Sequence, residues 1–453
     1  MYNNVFNLKG TLFKLLGFFM VIGFAQSAFA LPSFARQTGE DCIACHVGGF
    51  GPQLTPHGMK FKLGGYTDTD GKSGKVPLSA MLVQGFTHTS KDQSGDAAPH
   101  FGTNDNLSLQ ELSMFVAGRF ADHVGGMIQI TGNDFDRRFA MDNMDIRFAN
   151  TAQVADKDML YGISLNNNPT VQDPFNTLAG WRFPYMSSEL APGPNASPLL
   201  DGGLSQQVMG ATAYTLFDNS FYAEFGGYQS ISRTMLNKIN VDGSGRINGV
   251  APYWRLAYFK DMKKQAFHVG LFGMNADIQP DYASGGPTDK YNDIGVDAAY
   301  QFLGTREHIW TLNSSYTHER RSLDATMLGG GASDRKSNVN RLDLSTSYHY
   351  MNTYGITLGA FDINGSKDQL LYNTGEQDAG SLNGSPNSRG YIVQADWTPW
   401  GKEDSWGAPW ANVRLGLQYT GYTKFNGASK NYDGFGRDAK DNNTLFAFAW
   451  LSF

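Results

Sequence analysis

The chain has little cysteine: two residues in 453, Cys42 and Cys45. That scarcity excludes a small scaffold stapled by disulfides. Charged residues make up 17% and leave a net charge of −6. No basic run appears, so a nucleic-acid partner is not expected. The histidines outside residues 46–57 (His88, His100, His123, His268, His308, His318 and His349) show no H-x-x-x-H spacing, which leaves no familiar metal pair among them. No stretch is apolar enough for a spanning helix, and no long helix-period segment follows about residue 65.

Both cysteines fall in Cys42-Ile43-Ala44-Cys45-His46. C-x-x-C-H is the attachment signature of c-type haem, two thioether sulfurs followed by a histidine that ligates the iron. A redox dithiol would want a βαβ context, which is missing here, and a zinc site would want a second ligand pair nearby. The beginning of the chain agrees with haem attachment outside the cytoplasm. Lys9 and Lys14 precede an apolar run, Leu15 to Ala25, and Ala28-Phe29-Ala30 makes a small-x-small cleavage site. Residues 1–30 therefore read as a secretory signal peptide, too short to span a membrane. Loss of its two lysines takes the charge from −6 to about −8.

What is abundant is glycine (53), phenylalanine (31) and tyrosine (21). Segments of about ten residues alternate apolar and polar, separated by Gly, Asn, Asp and Ser. Tyr391-Val393-Ala395-Trp397 interleaves with Ile392, Gln394, Asp396 and Thr398, and Ile294-Val296-Ala298-Tyr300-Phe302 with Gly295, Asp297, Ala299 and Gln301. One greasy face and one polar face are what a transmembrane barrel requires, with lipid outside and water or a plug inside. A soluble sandwich or propeller also alternates, but no propeller-type repeat is visible.

The count is about sixteen strands, beginning near 79, 107, 124, 139, 158, 207, 220, 252, 265, 291, 308, 339, 354, 389, 411 and 443. Connections at 90–105, 167–205, 234–250, 278–290, 322–337, 367–387 and 424–441 are long. Those at 121–123, 217–219, 261–264, 303–307 and 352–353 are short. Short turns face the periplasm and long loops the exterior in outer-membrane barrels. Link 133–138 is short for an outer loop and 399–410 long for an inner turn. Trp397, Trp400, Trp406 and Trp410 suggest an aromatic girdle at the interface. The final segment, Leu445 to Phe453, resembles the assembly signal of outer-membrane proteins.

The expected fold is thus all-β: a transmembrane antiparallel barrel of about 16 strands (76–453) behind a partly helical c-type haem segment (31–75). Short helices are expected at Asp41–Val47 and at Pro56–Leu63, the latter closed by Gly64-Gly65. A segment of about 40 residues cannot bury a haem alone, so the barrel lumen is expected to cover it. Cys42 and Cys45 are the covalent haem c attachments and His46 the proximal ligand. Met59 and, less favoured, His57 are candidates for the sixth ligand, beside a residue from the barrel interior or an open position. Arg36, Lys60 and Lys62 could pair with haem propionates or could be plain exposed charges. Asp134, Asp136 and Asp201 could attract cations but read first as solvated loop charge. No catalytic residue is assigned.

Pro32-Ser33-Phe34-Ala35-Arg36-Gln37-Thr38-Gly39, the Cys42–His46 motif, Leu54-Thr55-Pro56 and Phe61-Lys62-Leu63-Gly64-Gly65-Tyr66 resemble the fused monohaem cytochrome–porins of iron-oxidising bacteria. Trp181-Arg182-Phe183-Pro184-Tyr185, Ala191-Pro192-Gly193-Pro194 and Pro198–Gly202 are similar to the same family. The resemblance departs at His57-Gly58-Met59, where such proteins often carry an aromatic residue, Gly and Arg, and at Gly48-Gly49-Phe50-Gly51-Pro52. It implies an outer-membrane electron conduit with one haem. Extracellular Fe(II), or another donor, would supply electrons to a periplasmic c-type cytochrome or copper protein, an Fe(II):cytochrome-c oxidoreductase activity. Outward electron transfer and a diffusion porin with a structural haem segment are the alternatives. A haem peroxidase would need a positioned distal acid–base residue, and none is recognisable.

Overall fold

The computed structural model describes residues 31–453 apart from 73, 281, 283, 284, 403, 404 and 406. The signal-peptide expectation and Trp406 therefore lie outside the described residues.

Alternation produces strands throughout. The first half of the wall is β1 (Leu78–Thr89), β2 (Asn106–Ala121), β3 (Val124–Gly132), β4 (Phe139–Val154), β5 (Lys157–Asn166), β6 (Val208–Phe217) and β7 (Phe221–Ser230). A three-residue strand, β8 (Gly245–Ile247), only extends the edge of β10. The second half is β9 (Ala251–Asp261), β10 (Gln265–Pro280), β11 (Asp289–Phe302), β12 (His308–Leu323) and β13 (Lys336–Tyr350). It finishes with β14 (Tyr354–Gly365), β15 (Ser388–Trp397), β16 (Asn412–Lys424) and β17 (Thr444–Ser452).

Each wall strand pairs antiparallel with its neighbours, and β17 pairs with β1 from Met81↔Ser452 to Thr89↔Thr444. Without β8, the described wall is a closed barrel of sixteen strands. Closure leaves no unpaired edge, the condition for a sheet to sit in hydrocarbon. The outward set is apolar: Leu271, Ile294, Leu312, Leu344, Ile356 and Leu417 are each between 44% and 55% exposed. Inward, Asp145, Arg147, Glu224, Arg255, Asp297 and Glu319 are almost fully buried. A soluble protein has the reverse arrangement, so this wall is built for lipid outside.

The lumen is filled. Residues 31–66 form a plug from the helix Pro32–Thr38, the turn of helix Cys42–Cys45, a 3₁₀ turn at Val47–Gly49 and the helix Pro56–Leu63. The single helix expected at Asp41–Val47 is thus two short turns. His46 breaks it, extended at φ −119° and ψ 135°. The plug is tied to the wall by side chains that reach its backbone. Asn412 Nδ2 donates to Gly49 O (2.6 Å), Arg414 to Phe50 O (2.6 Å), Gln301 to Leu54 O (2.7 Å) and Tyr214 to Leu63 O (2.7 Å).

The long connection 167–207 enters from the other end, with Val171, Gln172 and Asp173 fully buried. Lys62 of the plug donates to its Val171 O, Asp173 O and Asn176 Oδ1, each at 2.7 Å. Arg255 of β9 holds it from the wall, 3.2 Å from Asp173 and 2.7 Å from Asp297. Plug and loop together occupy the middle of the barrel.

Candidate functional site

Residues three apart on one helical turn share a face, so Cys42 and Cys45 point the same way, and His46 follows where the turn ends. This turn is held by Thr55. Its Oγ1 donates to Ala44 O (2.6 Å), its N–H donates to Cys45 O (2.9 Å), and its Oγ1 accepts from Gly58 N (3.2 Å) as the N-cap of the Pro56–Leu63 helix. Pro56 begins that helix, where a missing N–H costs nothing. At Gly58 a Cβ would lie 2.3 Å from Cys45 O, so only glycine lets the helix pass this close to the motif.

The motif edges a cavity of about 380 Å³, a size typical of cofactor sites. The plug contributes Phe34, Phe50, Leu54, Phe61 and Tyr66, and the wall Met81, Phe115, Met127 and Trp450. The loop closes it with Gly180, Trp181, Arg182, Pro184, Tyr185 and Met186. Most of this lining is apolar and much of it aromatic, with Lys62 and Arg182 the cations.

Three observations fit a covalently bound haem. Both cysteines are unbridged and half-buried against the cavity. His46 lines it too. Burial lowers His46 to about 4, Arg414 adding to the effect, so the ring is in the neutral form that ligates iron. Burial also raises Cys42 to about 11 and, with Glu40 nearby, Cys45 to about 12. A redox dithiol needs the opposite shift toward thiolate.

The other expected residues divide. Lys62 is buried at the cavity. Lys60 is exposed, and Arg36 turns away from the cavity, donating to Leu78 O (2.5 Å) with its guanidinium over Trp410. Met59 is 2% exposed, but it packs with Leu63, Phe175, Tyr214 and Phe259 and does not line the cavity. His57 is half-exposed and bonded to Glu40 at 2.6 Å. The thioethers that do line the cavity are those of Met81, Met127 and Met186. The inward face of the β1 and β3 alternation was the only sequence signal for the first two, and Met186 lay within the family-like loop.

Asp201 corrects the reading of solvated loop charge. It is buried between Arg182 (2.5 Å) and Arg341 (2.8 Å), and both arginines also reach Asp343, at 3.2 and 2.8 Å. Glu40, Cys45 and His57 offer ligand atoms within 4.8 Å of one another. Among the described residues no fourth ligand joins them, and the structural zinc sites that resemble such clusters have four.

These features define a closed antiparallel barrel with an internal plug and a lumenal cofactor-sized cavity. No protein-family model matches the chain, and no curated protein does. Solved structures similar to it are outer-membrane proteins. Pseudomonas putida OprB is 12% identical, covering 83% of this chain and 94% of its own, with a TM-score of 0.49. The outer membrane channel DcaP of Acinetobacter baumannii is 14% identical, covering 83% and 96%, with a TM-score of 0.46. The anion-selective porin of Comamonas acidovorans is 12% identical, covering 83% and 98%, with a TM-score of 0.42. The likeness is one of fold alone.

Proposed function

We propose that this chain is an outer-membrane cytochrome–porin that relays electrons between an extracellular donor, Fe(II) in the first instance, and a periplasmic c-type cytochrome or copper protein. One observation carries the reading: a C-x-x-C-H motif lies inside a closed barrel, at the edge of a cavity lined by apolar and aromatic side chains. The lipid-facing outer wall supports the location, and the alternation of short turns and long loops supports the orientation.

Cys42 and Cys45 would form the thioether links and His46 would ligate the iron. Haem c supplies a one-electron carrier held between two aqueous faces. The protein's own part is to position and to insulate. Thr55 and Gly58 fix the motif, and Asn412 and Arg414 fix the turn that follows it. The two cations at the cavity are already engaged, Lys62 by Val171 O, Asp173 O and Asn176 Oδ1 and Arg182 by Asp201 and Asp343, so propionates would have to share them. Met81, Met127 and Met186 are the thioethers that could supply a second iron ligand, because Met59 is committed to packing elsewhere. The aromatic lining would limit water at the group, and such a shell tunes its potential.

The barrel fold also favours a second reading, a diffusion porin with a structural haem segment. Plug and loop oppose it, since solute flow needs an open lumen. The test is anaerobic stopped-flow mixing of haem-loaded protein with Fe(II) near neutral pH, read at the haem absorbance band. Rapid reduction is expected, and it should be lost in His46→Ala with the fold retained. Reduction by dithionite but not by Fe(II) would remove iron as donor. Absence of the band in protein matured with the haem-attachment machinery would overturn the cytochrome reading itself.

A further inference from the structure

A second cavity, of about 230 Å³, lies beside the first, and Asn176, Arg182, Pro184 and Tyr185 line both. It reaches from Gln53 of the plug to Pro192, Tyr422 and Thr444 at the loop end of the barrel. The two spaces are therefore an inner chamber at the motif and an outer one toward the loops, adjoining at those four side chains. The cytochrome reading assigns the inner chamber to haem and leaves the outer one without a role.

Its charges are matched. Arg182, Asp201, Arg341 and Asp343 alternate in a closed ring with contacts of 2.5, 2.8, 2.8 and 3.2 Å, and the ring's net charge is zero. The remaining polar lining is hydroxyl and amide, from Ser187, Ser345, Gln418 and Thr444. Such a lining offers a bare divalent cation no uncompensated carboxylate to replace its hydration, and offers a highly charged anion no free arginine. A volume below the range of drug-sized ligands, about 300 Å³ and upward, excludes proteins and mineral surfaces.

Resting on the cytochrome reading, we propose that the outer chamber is the substrate subsite, and that it admits a small soluble metal chelate of low net charge. In the transfer one electron leaves the chelated Fe(II), which becomes Fe(III) and stays in its chelate. That electron would pass to the one-electron cofactor held at the Cys42–His46 motif, past Tyr185, which lines both chambers, and no proton moves.

The probe is the neutral 1:1 chelate of Fe(II) with iminodiacetate, added to sealed proteoliposomes of haem-loaded Ser187→Cys protein. Attachment makes Cys42 and Cys45 thioethers, so the introduced thiol alone reacts with an impermeant maleimide–polyethylene glycol, and it marks the molecules whose loops face out. For that labelled fraction, reduction is expected to slow at least tenfold against unlabelled Ser187→Cys protein, with the absorbance band and midpoint potential unchanged. In unlabelled protein the chelate should also outpace aqueous Fe(II) at equal concentration. Labelled protein reduced within twofold of the unlabelled rate would overturn the subsite, and so would the same chelate coupled to a large dextran reducing as fast as the free form. A chain without a haem band would instead sink the reading beneath it, so the two failures are distinguishable.

Discussion

Arg255→Ala should unlatch the inward loop. Arg255 is fully buried in β9 and bridges Asp173 of the loop (3.2 Å) to Asp297 of β11 (2.7 Å), with its guanidinium 5.4 Å from the Phe175 ring. Removing one partner of a buried pair typically costs about 3–5 kcal/mol, because the other charge is left behind. Both carboxylates here keep some support. Asp173 accepts from the N–H groups of Phe175 (3.1 Å), Thr177 (2.8 Å) and Leu178 (3.0 Å). Asp297 keeps Thr177 Oγ1 at 2.7 Å and His268 Nε2 at 2.9 Å.

That support places the loss at the low end, about 3 kcal/mol, which shifts the balance between seated and released loop by roughly a hundredfold. Proteolysis within residues 167–181 and single-channel conductance in a planar bilayer should both rise, the second because the loop is half of the lumenal barrier. Arg255→Met combined with Asp297→Asn removes one of the two stranded carboxylates, leaves Asp173 on its three N–H donors, and should recover part of the protection. Arg255→Ala with conductance unchanged and cleavage within twofold of the parent would refute the claim that this bridge seats the loop.

Two further outcomes follow from the same geometry. Burial alone would raise the Asp201 carboxyl, but Arg182 and Arg341 more than offset it and hold the group below the usual carboxylate range. Its stabilisation of the loop is therefore complete above about pH 4 and is lost as pH falls through the lowered value; loop protection from an acid-active protease should fall in that window, and Asp201→Asn should abolish that dependence. Gly58→Ala puts a Cβ 2.3 Å from Cys45 O; the strain of about 1–3 kcal/mol should displace the cysteine turn and lower haem incorporation per chain, read from the absorbance ratio, and full incorporation would show that the close approach is dispensable.

The wall was legible because its side-chain period is two and one face must meet lipid. All sixteen wall strands begin within three residues of the positions read from alternation. β13 and β10 are longer than expected, starting at Lys336 and ending at Pro280; the start of β13, Lys336-Ser337-Asn338, is polar on both faces and hides the alternation. The short strand Gly245–Ile247 left no periodic trace. The helix Pro56–Leu63 was readable from Pro56 and the glycines after Leu63. At its end the left-handed residue is Gly65, at φ 73°, while Gly64 stays at φ −69°.

Of the candidate site, only the Cys42–His46 motif was legible as a spacing in the sequence. Cys42, Cys45 and His46 are neighbours in sequence, so the motif announced itself. Met81, Met127, Met186 and Arg182 come together only when barrel closure and loop 167–207 bring distant segments around one cavity. Met59 was favoured because it was close in sequence, yet the helix turns it toward Phe175 and Tyr214. Asp201 looked like an ordinary loop acid because its partners, Arg182 and Arg341, are 19 and 140 positions away.

The seam between β1 and β17 has a bearing on manufacture. The motif sits ahead of β1, and its cavity is walled by Met81 of β1, Met127 of β3 and Trp450 and Ser452 of β17. Once the first and last strands zip together, both sulfurs face a lined interior that a haem-attaching enzyme cannot enter. For a chain loaded as proposed, the prosthetic group must be welded on while the segment is still free in the periplasm. Insertion then becomes a checkpoint: the last strand closes over a finished part, and a segment that missed its haem would leave a hollow behind the wall.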